Sequence, residues 1–149
     1  MWLRWMLASL HLLALPIGLG AVWARSRALR ATRAIVDLPR VFVADNLWAL
    51  AAVLWIATGL LRVFGGYEKD PQYYLHDRVF FAKMALLVAI VLLETWPMVT
   101  LIRWRIAVAR RTLPDLASAV ALSRLSVLQA GLTVAMVFAA TALARGFFH

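Results

Sequence analysis

Hydrophobic residues fill four long segments of this chain, and charged residues are concentrated between them. Each segment is almost free of charge over about 20 residues, the length that an α-helix needs to cross about 30 Å of hydrocarbon. The pattern therefore predicts four transmembrane helices joined by more polar connections. The predicted spans are residues 5–24, 44–64, 79–102 and 125–144.

The overall composition points to the same class of protein. The chain has 149 residues, of which 64% are hydrophobic, and its mean hydropathy is +0.83. A soluble domain of this size needs much less apolar surface. Because four spans use most of the length, we predict a single domain over residues 1–149. Its predicted fold is an all-α membrane protein, an up-and-down bundle of four transmembrane helices. The chain has no cysteine, which excludes disulfides and thiolate metal sites.

Basic residues are distributed unevenly among the connections. Five arginines lie between residues 25 and 40, and another five lie between residues 103 and 124. The middle connection contains Lys69 and Arg78, which three acidic residues offset. The positive-inside rule therefore places both arginine-rich connections in the cytoplasm and both termini on the non-cytoplasmic side. The membrane surface explains the net charge of +9, so nucleic acid is not a predicted partner.

Two charged residues, Lys83 and Glu94, lie inside the third predicted span, where an unpaired charge is costly. They are eleven residues apart, which is close to three helical turns, so both project from one side of the helix. This side should face the bundle interior, since a charge that faces lipid is unfavourable. We expect Glu94 to pair with an arginine of the cytoplasmic end, Arg103 or Arg124. The alternative is that Glu94 forms a hydrogen bond with Gln129. The predicted buried polar network consists of Asp45, Glu94, Arg103, Arg124 and Gln129.

A second predicted cluster lies near the non-cytoplasmic ends of the first three spans and consists of His11, Arg62 and Lys83. The spans contain no acidic residue at this depth, so the cluster requires the acids of the middle connection or a bound anion. We expect a cavity that opens to the non-cytoplasmic side. Tyr73 or Tyr74 should lie near its mouth.

The chain resembles a family of small bacterial predicted integral membrane proteins, a domain of unknown function, in the runs DNLWALAAVLWIATGLLRVFGG and YYLHDRVFFAKMALLVAIVLLETWPMVTLIRWR. The resemblance covers nearly the whole chain and implies a multi-pass protein of the bacterial cytoplasmic (inner) membrane, with no established activity. More distantly, three short patterns are similar to haem-binding membrane protoporphyrinogen oxidases and copper-resistance-D-type proteins. They are a histidine early in helix one, a Gly-x-x-Arg ending helix two and a Phe-x-x-Lys early in helix three. That similarity implies His11, Arg62 and Lys83 as cofactor-binding residues, with His11 as the metal ligand of haem b.

Three functions remain open at this point. The favoured interpretation is a structural, assembly or accessory bundle whose buried charges fix the helix register. The first alternative is a haem- or tetrapyrrole-binding redox protein with His11 as axial ligand. The second is a small transporter or proton-conducting bundle that uses Lys83, Glu94 and Asp45. The sequence does not identify an enzyme, since it has no nucleophile–base pattern, phosphate-binding loop or metal-ligand spacing. The predicted partners are membrane lipid and either another membrane protein or a second copy of the chain.

Overall fold

Four long α-helices make up nearly all of the computed structural model, which describes residues 2–65 and 78–144. A short 3₁₀ turn, Ile35–Asp37, precedes the second helix, and no strand occurs in these two ranges. The predicted all-α class with four helices is therefore confirmed. The helices are α1 (Trp2–Ala31), α2 (Leu38–Phe64), α3 (Arg78–Ala109) and α4 (Ala119–Ala144).

All four helices are long and apolar enough to cross a membrane. Each predicted span lies within one helix, and α1 and α3 continue several residues beyond their spans, to Ala31 and Ala109. The segment after Trp23 consists mainly of good helix formers and contains neither proline nor glycine, so nothing in it ends α1. This extension brings charged residues of the expected connection into the helical bundle.

Neighbouring helices in the bundle run antiparallel. α1 packs against α2 and α4, and α3 packs against α4. The α1–α2 pair approaches closely at Gly18, where an added Cβ atom would lie 3.3 Å from the Cβ of Ala51. The first residues of α1 and the last residues of α4 therefore lie towards one end of the bundle, which we call the termini end. Residues 32–37 and 110–118, which connect α1 to α2 and α3 to α4, form the opposite end, which we call the loop end.

The apolar core consists of two separate clusters of buried side chains, and all four helices contribute to each. One cluster lies at the loop end around Leu29 and Leu101, and the other lies nearer the middle of the bundle around Val22 and Ile90. Polar or charged residues occur between the two clusters in sequence on every helix; they are buried on α1 and α4 and half-buried on α2 and α3. The bundle therefore has a polar layer between two apolar layers.

Candidate functional site

A fully buried arginine, Arg25 of α1, lies at the centre of this polar layer. Its guanidinium donates two hydrogen bonds to the carboxylate of Glu94 on α3, at 2.6 and 2.8 Å. A further bond of 2.8 Å joins Nη1 to a carboxylate oxygen of Asp45 on α2. Charge-assisted bonds of this kind are roughly twice as strong as neutral ones, and the paired geometry to Glu94 also fixes direction. Arg25 thus connects α1 to both α2 and α3.

Residues of α4 complete the set of acceptors around Arg25. Its Nη2 donates to the side-chain oxygen of Gln129 at 2.8 Å, and its Nε donates to the hydroxyl of Ser126 at 3.2 Å. The amide nitrogen of Gln129 in turn donates to Glu94 at 2.7 Å. A guanidinium has five N–H donors, and these contacts give all five an acceptor. Arg25 therefore contacts each of the other three helices.

A second arginine, Arg105 of α3, balances the charge of the layer. Its Nη2 donates to the other carboxylate oxygen of Asp45 at 2.8 Å, and its guanidinium lies 4.7 Å from the ring centroid of Phe42. Two arginines and two carboxylates thus share one network without net formal charge. Because the charges compensate one another, the network needs no further ion to offset the cost of burial. We call the set Arg25, Asp45, Glu94, Arg105, Ser126 and Gln129 the ion cluster.

The ion cluster contains three of the five residues predicted for the buried network, Asp45, Glu94 and Gln129. The two predicted arginines, Arg103 and Arg124, are exposed. The ion-pair partner of Glu94 is instead Arg25, which corrects the predicted pairing with Arg103 or Arg124. The predicted hydrogen bond between Glu94 and Gln129 is present.

The sequence interpretation missed Arg25 because it ended the first span at residue 24 and assigned the next residues to a cytoplasmic connection. A signal was present, since Arg25 follows Val22 by three residues and Gly18 by seven, in line with the interior side of the first helix. Arg105 had a similar signal. It follows Glu94 by eleven residues, the same interval that separates Glu94 from Lys83.

The second predicted cluster lies towards the termini end. His11 is buried there, with its ring stacked on Trp55 at a centroid distance of 5.3 Å. Its Nδ1 lies 2.9 Å from Oγ1 of Thr58, and that hydroxyl donates its only proton to the carbonyl of Leu54 at 2.6 Å. This buried hydrogen bond joins His11 of α1 to Thr58 of α2. Nζ of Lys83 lies 5.9 Å from the ring centroid of Trp55, so Trp55 contacts both predicted residues.

Space for the His11 ring comes from Gly59, because a Cβ atom at this position would lie 3.1 Å from Cε1 of the ring. Arg62 is half-buried in the last turn of α2, one turn from Gly59. The structure thus brings His11 and Lys83 together at Trp55. Arg62 lies further along α2, the helix that contains Trp55. Tyr73, Tyr74 and the acids of the middle connection, which were expected at the cavity mouth, lie outside the described residues.

An apolar cavity of about 50 Å³ lies among the four helices, and its walls include Gly18, Trp55, Ile90 and Met136. Ligand pockets usually measure about 300–1,000 Å³, so this cavity is too small for a tetrapyrrole. His11 is not among the residues that line it. Within residues 2–65 and 78–144, no group of three or more His, Asp or Glu side chains could hold a metal ion.

The family model described as Predicted membrane protein (DUF2214) matches residues 3–147, so the chain belongs to this family, whose function is unknown. This match confirms the family resemblance and covers nearly the whole chain. Comparison with curated proteins and with solved structures gave no match. The distant similarity to haem-binding membrane oxidases therefore has no support from these comparisons.

Proposed function

We propose that this member of the DUF2214 family is a structural, assembly or accessory bundle of the membrane, in which buried charges fix the relative positions of the helices. The observation that supports this proposal is the complete set of partners around Arg25. All five guanidinium donors have acceptors, and the acceptors come from the other three helices. A translation of any one helix by a turn would break some of these bonds and leave a buried charge without its partner, which typically costs about 3–5 kcal/mol.

The charge balance of the ion cluster also favours a structural role. A group that carries protons or binds an ionic substrate has to exchange partners during its cycle. Here Glu94 accepts hydrogen bonds from Arg25 and Gln129, and Asp45 accepts them from Arg25 and Arg105. These bonds engage both oxygens of each carboxylate with fixed protein donors, which is typical of a network that rigidifies and specifies one arrangement. Neither the haem alternative nor the transport alternative has comparable support.

A flux measurement tests this proposal against proton conduction. The purified protein is reconstituted in liposomes that contain a pH-sensitive dye, and a proton gradient is imposed. We expect the same dissipation rate as in protein-free liposomes, for the wild type and for Glu94→Gln. The matched stability measurement should show a lower melting temperature for Glu94→Gln. A proton flux that the wild type supports and Glu94→Gln abolishes would overturn the proposal.

We further propose that the protein lies in the bacterial cytoplasmic membrane with its loop end in the cytoplasm and both termini on the opposite side. The supporting feature is the ten arginines between residues 25 and 40 and between residues 103 and 124, most of which lie at or near the loop end. Reporter fusions to the C-terminus test this orientation. A fused alkaline phosphatase should be active and a fused fluorescent protein dark, whereas the reverse pattern would contradict the proposal.

An assembly or accessory role requires a partner within the membrane, which we propose to be another membrane protein or a second copy of this chain. Chemical cross-linking in native membranes, followed by purification, identifies which of the two is present. Recovery of only uncross-linked monomer, under conditions that capture a known membrane dimer, would contradict this part of the proposal.

A further inference from the structure

We propose that an anionic phospholipid binds at the contact between α1 and α4, near the loop end, through Arg27, Arg30 and Arg124. This inference is independent of the structural role proposed for the ion cluster. It depends on the register of the two helices, the charges left at their surface, and the apolar side chains beside them.

The register of the two helices is fixed by a reciprocal pair of hydrogen bonds. The hydroxyl of Ser26 donates to the carbonyl of Ser123 at 3.0 Å, and the hydroxyl of Ser123 donates to the carbonyl of Ser26 at 2.9 Å. Both serines are buried, with 4% and 3% of their surface exposed. Ser26 and Ser123 therefore mark the line along which α1 and α4 touch.

The residues that follow these two serines are Arg27 and Arg124, and both are exposed. Each step along an α-helix turns the side chain by about 100°. In two antiparallel helices that face each other, this rotation directs the residue after each contact residue to the same side of the contact. Arg27 and Arg124 therefore lie on one side of the α1–α4 contact. Axes of packed helices lie about 8–10 Å apart, a separation that two arginine side chains can bridge onto one phosphate group. Arg30 is also exposed and follows Arg27 on α1 by nearly one turn, so it extends this basic surface towards the loop end.

No carboxylate in the described part of the chain forms an ion pair with these three arginines. The described acids are engaged elsewhere. Asp45 and Glu94 belong to the ion cluster. Asp115 accepts a hydrogen bond from the backbone N–H of residue 117, and Asp37 accepts two from the backbone N–H groups of residues 33 and 34. A guanidinium group without a carboxylate partner is a strong donor to phosphate, and it can contact the phosphate through two parallel hydrogen bonds.

The surface beside the arginines indicates a lipid rather than a free anion. Trp23 precedes Arg27 by one turn and is 51% exposed, and Val127 follows Ser123 by one turn on α4 and is 45% exposed. Both lie on the same side of the contact as the arginines, nearer the middle of the bundle. Tryptophan is enriched at the headgroup level of membranes. A phospholipid whose phosphate is bound by the arginines would thus place its acyl chains on an apolar surface. Three cations that pair with no described carboxylate favour a lipid with net negative charge.

Lipid titrations of paired variants test the proposal. The protein in neutral detergent is titrated with phosphatidylglycerol or phosphatidylcholine, and bound lipid is counted by native mass spectrometry. We expect wild type to prefer phosphatidylglycerol, and we expect Arg27→Gln/Arg124→Gln to weaken phosphatidylglycerol binding by about tenfold or more, since each basic residue near a lipid contributes about fivefold. The matched control, Arg40→Gln/Arg103→Gln, removes the same charge from exposed positions of α2 and α3 and should retain the wild-type affinity.

Each other outcome overturns the proposal. An equal loss in both double variants would show diffuse attraction to the whole loop end. An absence of any phosphatidylglycerol preference in the wild type would show that there is no site. Displacement of the lipid by inorganic phosphate at equal concentration would assign the arginines to a free anion. The single variants Arg27→Gln and Arg124→Gln, each expected to lose about fivefold, provide the test if the double variant does not fold.

Discussion

Charge balance in the ion cluster makes a prediction that a mutational cycle can test. Arg25→Met leaves Asp45 and Glu94 with only Arg105, so the buried site gains one net negative charge. Glu94→Gln leaves two arginines with one carboxylate, so it gains one net positive charge. The double variant has one arginine and one carboxylate, Arg105 and Asp45, whose own bond of 2.8 Å remains available. The double variant should therefore lose less stability than the two single variants together.

The magnitude follows from the contacts that each substitution removes. Arg25→Met removes five hydrogen bonds, of which three go to carboxylates, and Glu94→Gln disturbs two from Arg25 and one from Gln129. Removal of one partner from a buried ion pair typically costs about 3–5 kcal/mol, and we expect each single variant to lose about this much free energy of unfolding. Groups in direct contact usually show coupling energies of about 0.5–3 kcal/mol. We expect the upper part of that range here, because the second substitution restores neutrality.

The assay is reversible unfolding in mixed micelles by titration with sodium dodecyl sulfate, followed by far-ultraviolet circular dichroism and tryptophan fluorescence. Arg103→Gln is the control for loss of an exposed arginine on the same helix as Glu94, and it should change the free energy of unfolding by less than about 0.5 kcal/mol. Additivity of the two single effects within about 0.5 kcal/mol would refute the reasoning, since it would mean that the two charges do not depend on each other.

Two further predictions concern helix packing. Gly18→Leu should lower the free energy of unfolding by about 1–3 kcal/mol, because a Cβ atom at Gly18 would already lie 3.3 Å from a Cβ of α2. Gly20 is exposed and an added Cβ atom there has no neighbour within 4 Å, so Gly20→Leu should be neutral or stabilising. Equal effects of the two substitutions in a thermal melt would contradict this close approach. Thr58→Val should lower the free energy of unfolding by about 1–3 kcal/mol, because it removes the buried hydrogen bond between the Thr58 hydroxyl and the His11 ring. Thr95→Val removes only a local bond on an exposed surface and should have a smaller effect, so a larger loss for Thr95→Val would contradict the assignment.

The architecture could be predicted from the sequence because hydropathy records directly which segments can lie in lipid. The interior side of α3 could also be predicted, since the interval of eleven residues between Lys83 and Glu94 has a simple helical meaning. The ion-pair partner of Glu94, Arg25, could not be predicted in the same way. Hydropathy shows where a helix becomes too polar for lipid, but it does not show whether the helical residues beyond that point are solvated or packed in the bundle, and α1 continues to Ala31. Arg25 was therefore counted among the solvent-facing arginines although it is fully buried.

Arg103 and Arg105 show the remaining difficulty. Both lie near the end of the third predicted span, and composition alone does not distinguish them. Their angular positions do, because Arg105 follows Glu94 by eleven residues and Arg103 by nine, so only Arg105 returns to the side that carries Glu94. The contacts of Asp45 then depend on how α2 lies beside α3, a three-dimensional relation that the residues of one helix do not contain.

The most direct test of a sealed structural ion cluster is the reactivity of a thiol placed beside Arg25. The natural chain has no cysteine, so Ser126→Cys introduces a single thiol at a position with 0% exposure, next to the guanidinium. Membrane vesicles open to both sides are treated with a membrane-impermeant maleimide, and Arg124→Cys is the exposed control. We expect rapid labelling of Arg124→Cys and no labelling of Ser126→Cys until the protein is denatured. Labelling of folded Ser126→Cys at a rate close to that of the control would show a water-filled path to the cluster and contradict the structural role.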